Sequence, residues 1–466
     1  FVQFLLEFGM GSALQRQISE TWTKGDRSGV DRALACGLNF YAVVALIQAA
    51  ALLGVAYLAL PLTEYQGDSY NLIFKLLWLQ ALSAPCYGLT MVVTSVLQAA
   101  RRFEVIPRCE MLVVLARFAI LWFGLQAGFD FFLIVLTQTL AHIALSLVPA
   151  TYIMIKELGY FPSVWGARWD DFSALLPMSF YIFLIQLSVV LADKVDTTIL
   201  GFALADPGPA TTIYQIVSKP FLQIRQTGWT LTYLVMPAVA SLAAARDLSN
   251  LERLKYDGPR LHVGVLLPVT LLAWLYAAPF LDLWIPGSAP HAWLLRLFLV
   301  ATAPLVISVF VQMSIGMGRI KVIALAALAG SVVNLPLSYF LTVRLGDASG
   351  VIWGTVLTTL FSNLLIPGIY VFRGLEIRPT EFFRRTLAAP VCGAVALLAA
   401  CLVLKLAYSP LGFGANLFVR AVPFLIHIGV GCVAYGLGYT AVSSGRGDVI
   451  ALIRRFRGPE APRSIE

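Results

Sequence analysis

Apolar residues along this chain come in long runs separated by short polar connections. Runs of spanning length fall near 1–20, 33–60, 70–98, 109–127, 130–155, 172–202, 209–244, 261–284, 291–317, 320–345, 348–372, 384–408 and 416–441. A helix crosses ~30 Å of hydrocarbon with about 20 residues, and each of these thirteen runs supplies them. Inside a bilayer the backbone must satisfy its own hydrogen bonds, so the pattern predicts an all-α polytopic membrane protein. Pro85, Pro177, Pro220, Pro237, Pro268 and Pro336 interrupt the runs and predict bends that neighbouring helices tolerate. The two long basic connections, Lys156–Asp171 and Ala244–Arg260, have room for amphipathic surface helices.

The connections alternate in charge. Lys24, Arg27 and Arg32 mark the first basic one, and Arg101, Arg102 and Arg108 the next. Lys156 and Arg168 follow, then Arg246, Arg253, Lys255 and Arg260, then Arg319 and Lys321. Arg373, Arg378, Arg384 and Arg385 precede a tail carrying Arg446, Arg454, Arg455, Arg457 and Arg463. Cytoplasmic loops retain Lys and Arg, so these connections and the C-terminus are expected in the cytoplasm. Thirteen spans would then place Phe1 outside. One further helix upstream would put both ends inside, and fourteen spans are expected in all.

Composition narrows the class. Of 466 residues, 59% are hydrophobic and 12% charged, against about 25% charged in soluble domains. The net charge of +8 is spread over short loops, which argues against nucleic-acid binding. The six cysteines form no CxxC pair and the four histidines are scattered, so neither a disulfide framework nor a metal site is expected. No secretory signal is visible.

The chain also repeats itself. Asp26, Ser28, Asp31 and Arg32 match Asp247, Ser249, Glu252 and Arg253. Arg102, Val105 and Ile106 match Arg319, Val322 and Ile323, and Gly128, Thr137, Pro149 and Tyr152 match Gly346, Thr355, Pro367 and Tyr370. The offset stays near ~220 residues throughout, which marks an internal duplication. It spans six helices, an even number, so the halves share one orientation and an axis along the membrane normal relates them. The expected organisation is an N-terminal lobe (1–156, lacking its first helix), a cytoplasmic linker (157–171), a C-terminal lobe (172–373), a terminal helix pair (374–441) and a basic cytoplasmic tail (442–466).

Two six-helix lobes with a terminal pair resemble the multidrug/oligosaccharidyl-lipid/polysaccharide (MOP) flippase superfamily. The opening Glu7, Phe8, Gly9, Gly11, Ser12, Arg16 and Ser19, followed by Lys24, Gly25 and Asp26, is similar to the second helix of its polysaccharide transporter (Wzx-type) branch. Lys194, Asp196 and Gly201 resemble the seventh helix of that branch, and Tyr214 through Pro237 the eighth. The resemblance covers essentially the whole chain. It implies flipping of undecaprenyl-pyrophosphate-linked oligosaccharides, precursors of O-antigen, lipopolysaccharide or exopolysaccharide, across the bacterial inner membrane.

Ten basic residues escape the loop pattern: Arg16, Lys75, Arg117, Lys194, Lys219, Arg225, Arg296, Arg344, Lys405 and Arg420. A charge at the centre of a spanning helix costs about 2.5–3.5 kcal/mol on insertion scales, so each must snorkel, pair or face water. Arg296, Arg344, Lys405 and Arg420 lie near helix ends and snorkel. Lys75 shares its helix with the stripe Gln80, Ser83, Tyr87, Thr90 and Thr94. In 209–244, the residues Gln215, Lys219, Gln223, Gln226, Thr230 and Tyr233 recur at three and four and form one polar face, with Arg225 about 100° from Gln226. That face lines a cavity or a polar helix seam. Arg16 stands four residues from Glu20 and can pair with it. Arg117 lies mid-helix with no local acidic partner.

Under the flippase reading, Arg16, Arg117, Lys219 and Arg225 attract the pyrophosphate, since Arg suits bidentate phosphate contacts. Gln223, Gln226, Tyr233, Lys75 and aromatics such as Trp229 meet sugars. Glu7, Asp193, Lys194 and Asp196 are candidates for a gate or for coupling to Na+ or H+; no other cofactor is expected. The expected partners are the lipid-linked substrate, the bilayer and polysaccharide assembly proteins, with the chain itself a monomer. A cation-coupled multidrug exporter of the same superfamily is the alternative, although such a site would favour acidic residues. A membrane polymerase or ligase is disfavoured, because the outer loops (61–70, 128–130, 205–210, 285–291, 346–349 and 409–415) are too short for a catalytic loop. The chain is therefore not expected to be an enzyme.

Overall fold

The computed structural model describes residues 7–62, 67–100, 102–161, 163–232, 235–407 and 417–456; side chains at 193–194, 407, 417–420 and 452–456 are not described. Among the described residues there is no strand, and 12 helices are long and apolar enough to cross a membrane. The chain is an all-α polytopic membrane protein. The helices are α1 (Met10–Thr23), α2 (Arg27–Leu62), α3 (Gly67–Ala99), α4 (Val105–Gln126), α5 (Phe131–Lys156) and α6 (Trp169–Ala203). They continue with α7 (Pro207–Thr232), α8 (Val235–Ala244), α9 (Leu248–Leu275), α10 (Ala277–Trp284), α11 (Ala289–Val306) and α12 (Ser308–Gly316). The last are α13 (Lys321–Leu345), α14 (Ser349–Gly374), α15 (Pro379–Leu406), α16 (Leu417–Ala441) and α17 (Ser443–Phe456).

Twelve of the thirteen apolar runs correspond to these spans. The first run contributes α1, of 14 residues, while its residues 1–6 lie outside the described set. The run 261–284 divides at Tyr276 into α9 and α10, and 291–317 divides into α11 and α12.

Two connections differ from expectation. The segment 157–168 holds no helix among its described residues: Gly159 and Gly166 adopt φ of 72° and 94°, left-handed values that turn the chain. The basic stretch before Arg260 forms no separate surface helix either. It is the first part of α9, which begins at Leu248 and is supported by Lys255–Glu252, Arg253–Asp257 and Arg260–Asp257 pairs one turn apart. The tail, expected only as a basic segment, forms α17.

The matched prolines Pro149 and Pro367 share one local structure. Each stands at the start of a regular α segment, directly after a single wide π turn, Ile143–Leu147 in α5 and Leu360–Leu365 in α14. Proline offers no N–H to the preceding turn, and a π turn absorbs the shifted hydrogen-bond register.

The chain divides into two compact units, Phe1–Leu187 with Met236–Asp247 and Gly316–Ile320, and Ser188–Val235 with Leu248–Ile315 and Lys321–Glu466. In the first, α1 is the buried element: Met10, Leu14 and Ile18 are inaccessible, and Gln15 bonds Gln98 of α3. Gly9 starts this helix at φ 70°, and a Cβ there would lie 2.7 Å from Ile182 Cβ and 2.8 Å from Phe183 N, so only glycine permits the approach to α6. The outer helix α4 leaves Met111, Leu115, Phe118 and Trp122 more than half exposed, an apolar surface suited to lipid.

In the second unit, Leu200, Val217, Phe221, Leu295, Phe298 and Val351 form one core. Leu272, Leu397, Phe424 and Tyr435 form another around the pair α15 and α16. Small residues bring α13 and α14 together: Gly350 rests on the backbone at Thr342 and Gly354 on Ser338. Such seams suit membrane helices, where close packing replaces hydrophobic driving force.

Candidate functional site

Helix α7 carries the expected polar stripe. Tyr214, Val217, Phe221, Ile224 and Gly228 are buried on one side. Gln215, Lys219, Gln223, Gln226 and Thr230 are all exposed on the other. The side chain of Lys219 makes no hydrogen bond or ion pair with another described residue. Arg225, half-buried at the edge of the stripe, lies between two rings, 5.3 Å from the centroid of Phe221 and 5.1 Å from that of Trp229. Cation–π contacts with these two rings orient its guanidinium plane. Pro220 sits inside the helix beside these residues. A polar, cationic face on a helix of spanning length calls for water or polar groups at membrane depth. Tyr233 lies outside the described residues.

A second polar cluster is buried in the same unit. Asp196 of α6 is 1% exposed. Tyr214 Oη donates to its Oδ2 at 2.9 Å, and Thr355 Oγ1 of α14 donates to the same oxygen at 3.0 Å. The polar chain continues one turn on: Thr358 and Ser338 donate to Asn334 Oδ1 at 3.3 and 2.9 Å. Residues of α6, α7, α13 and α14 thus make up one buried polar cluster. Asp193 and Lys194 are on α6 beside it, and their side chains lie outside the described set.

The remaining candidates are spread through the first unit. Glu7 is buried, and it accepts from Tyr41 Oη of α2 at 3.4 Å and Tyr87 Oη of α3 at 3.3 Å. Tyr87 of the α3 stripe is thereby turned toward α1. Arg16 is fully engaged: it pairs with Glu20 at 2.7 Å, donates from Nε to the Gly316 carbonyl at 3.0 Å, and reaches Met178 Sδ at 3.5 Å. Lys75 is exposed, 5.7 Å from the Phe132 ring. Arg117 is exposed on α4, and its side chain makes no hydrogen bond or ion pair with a described residue; its carbonyl accepts from Gln138 Nε2 at 3.1 Å.

Sequence reasoning missed Tyr41, Tyr214, Asn334, Ser338, Thr355 and Thr358. For the last four a signal was present: Ser331, Asn334, Ser338 and Thr342, and likewise Thr355, Thr358 and Ser362, recur at three and four inside spans.

No family model matches the chain, and no curated protein does. Solved structures do match. The MATE transporter ClbM, in complex with Rb+, superposes with a TM-score of 0.66 at 15% identity, over 82% of this chain and 85% of ClbM. An outward-facing multidrug-resistance MATE transporter of the MOP superfamily gives 0.63 at 13%, over 81% and 86%. The lipid II flippase MurJ, in its inward closed conformation, gives 0.56 at 14%, over 97% of this chain and 96% of MurJ. The chain has the fold of these transporters. At such identities the likeness is one of fold. The extent of the match separates the two groups. The MATE structures leave about a fifth of the chain unmatched, whereas MurJ covers 97% of it.

Proposed function

We propose that the chain is a non-enzymatic flippase that carries a polyprenyl-pyrophosphate-linked oligosaccharide, a cell-surface polysaccharide precursor, across the bacterial inner membrane by alternating access. The observation that carries this reading is the polar stripe of α7, where Lys219 is exposed among Gln215, Gln223 and Gln226 and the half-buried Arg225 stands at its edge. Two cations along a spanning helix suit a pyrophosphate, which Arg can grip through paired N–H groups. Glutamine amides and Trp229 suit sugar hydroxyls and sugar faces. MurJ, named a lipid II flippase, matches end to end, which supports a lipid-linked cargo over a smaller one. We assign Lys219 and Arg225 to the substrate, and Arg117 to phosphate handling in its own right. Arg16, already bonded to Glu20 and Gly316, is assigned to holding α1 in place. Asp196 is the assigned coupling group for H+ or Na+, with Asp193 and Lys194 as its gate.

The test is complementation of a flippase-deficient strain at normal expression. Arg117→Gln and the double change Lys219→Gln, Arg225→Gln are each expected to abolish it, and full activity in both sinks the phosphate assignment. A cation-coupled drug exporter is the second reading. The buried carboxyls Glu7 and Asp196 and the higher TM-scores of the MATE structures favour it. Raised drug resistance on expression, with no complementation, would select that reading.

A further inference from the structure

A pocket of 850 Å³ opens at the basic end of α14, away from the α7 stripe and the Asp196 cluster. Leu364, Leu365, Gly368, Ile369 and Phe372 form its wall, at the spacing of a single helix face, and Ile307 closes the other side. At 1.5 Å per residue, that wall stays apolar for about 12 Å along the helix. The rim then changes character. Arg373, Glu376 and Arg378 line it and all three are exposed, with Arg378 also in electrostatic contact with Glu381. The turn that presents them is fixed: Leu375 and Ile377 are buried on either side of Glu376, whose φ is 52°. A left-handed glutamate between two anchored apolar residues is an uncommon conformation, held there by its surroundings.

We propose that this pocket holds a glycerophospholipid with a primary-amine headgroup, of the phosphatidylethanolamine class, as a bound structural lipid distinct from any transported substrate. The chemistry of the rim selects the occupant. Two guanidinium groups meet the phosphate, and the single carboxylate meets the ammonium. An anionic lipid would leave Glu376 facing negative charge, and free phosphate would leave the apolar wall without an occupant. The wall accepts the upper part of an acyl chain, and the charge step from Phe372 to Arg373 falls where a helix of spanning length ends. Gly368 keeps the slot open. A Cβ there would meet Ile307 Cδ1 at 3.7 Å, an ordinary contact, so alanine fits and a larger side chain enters the pocket.

Native mass spectrometry of the delipidated full chain, exposed to short-chain phosphatidylethanolamine, phosphatidylglycerol or inorganic phosphate, tests this. Wild type and Gly368→Ala are expected to retain one phosphatidylethanolamine in preference to phosphatidylglycerol. The pair Arg373→Ala, Arg378→Ala should reduce that adduct by about tenfold or more, the loss of charge-assisted bonds to the phosphate. Glu376→Gln should keep binding and lose the preference between the two lipids. Gly368→Leu should remove the adduct with every charge in place. Equal adducts in Gly368→Leu and wild type, equal binding of the two lipids by wild type, or displacement of the lipid by inorganic phosphate alone would each overturn the proposal.

Discussion

Arg260 and Asp448 form the most enclosed ion pair among the described residues, and its loss should loosen the terminal helices. Their side chains are 9% and 10% exposed, and Arg260 grips the carboxylate with Nε at 2.7 Å and Nη2 at 2.6 Å. Tyr439 Oη of α16 donates to Asp448 at 2.6 Å, and Arg260 Nη1 donates to the Arg385 carbonyl at 3.0 Å. The guanidinium therefore ties α9 to α15 and α17, and Asp448 extends the network to Tyr439 of α16. Removing one partner of a buried pair costs about 3–5 kcal/mol, because the other charge stays buried. In Asp448→Ala, Arg260 retains Asp257 at 2.9 Å and the Arg385 carbonyl, which places the cost at the low end, about 3 kcal/mol. Arg260→Leu with Asp448→Leu removes both charges and should lie within about 1 kcal/mol of wild type, since apolar replacement of a buried pair is often neutral. Equilibrium unfolding in micelles of wild type, Arg260→Leu, Asp448→Leu and the double variant gives the coupling directly. Added salt should change it little, as enclosed pairs are weakly screened. Single variants that each cost under about 1 kcal/mol, or single costs that simply add in the double variant, would refute the account.

Three further outcomes follow from the geometry. Gly438→Val places a Cβ 2.6 Å from the Cys392 carbonyl and 2.7 Å from Ala396 Cβ, so it should destabilise the α15–α16 pair by about 1–3 kcal/mol, whereas Gly429→Ala, with open space around it, should leave thermal unfolding unchanged. Asp196→Asn keeps an oxygen for Tyr214 and Thr355 and should fold with stability within about 1 kcal/mol of wild type, yet lose any response of transport to a proton or sodium gradient; retention of that response removes Asp196 from coupling. Asp26 caps α2, and the backbone N–H of Gly29, helped by Ser28, holds its carboxyl below the usual range. A depressed carboxyl stabilises above its unfolded pKa and loses that contribution as pH falls through its folded value, so the stability gap between wild type and Asp26→Ala should narrow on acidification through that range, and a gap independent of pH would count against the cap.

Much of the fold was legible because a bilayer imposes length and polarity directly on sequence. Runs such as 130–155 and 320–345 became helices within a few residues of their apolar limits. The α7 stripe was legible for a similar reason, since three- and four-residue spacing of Lys219, Gln223 and Gln226 specifies a face without reference to other helices. What stayed hidden depends on contacts distant in sequence. Nothing near Arg16 announces that the Gly316 carbonyl receives its Nε. Arg260, read as one more charge of a basic loop, is buried at the centre of a network reaching into the tail. Asp196 could be singled out as an intramembrane acid, but its donors come from α7 and α14. The extension of α9 was obscured because its first turns are polar and pair one turn apart.

The most direct test of the central claim is the leaflet distribution of lipid-linked oligosaccharide in a strain deleted for this chain. The account predicts that the intermediate accumulates on the cytoplasmic leaflet, that re-expressing the wild-type chain clears it, and that the Lys219→Gln, Arg225→Gln protein does not. An unchanged distribution on deletion would contradict the flippase reading.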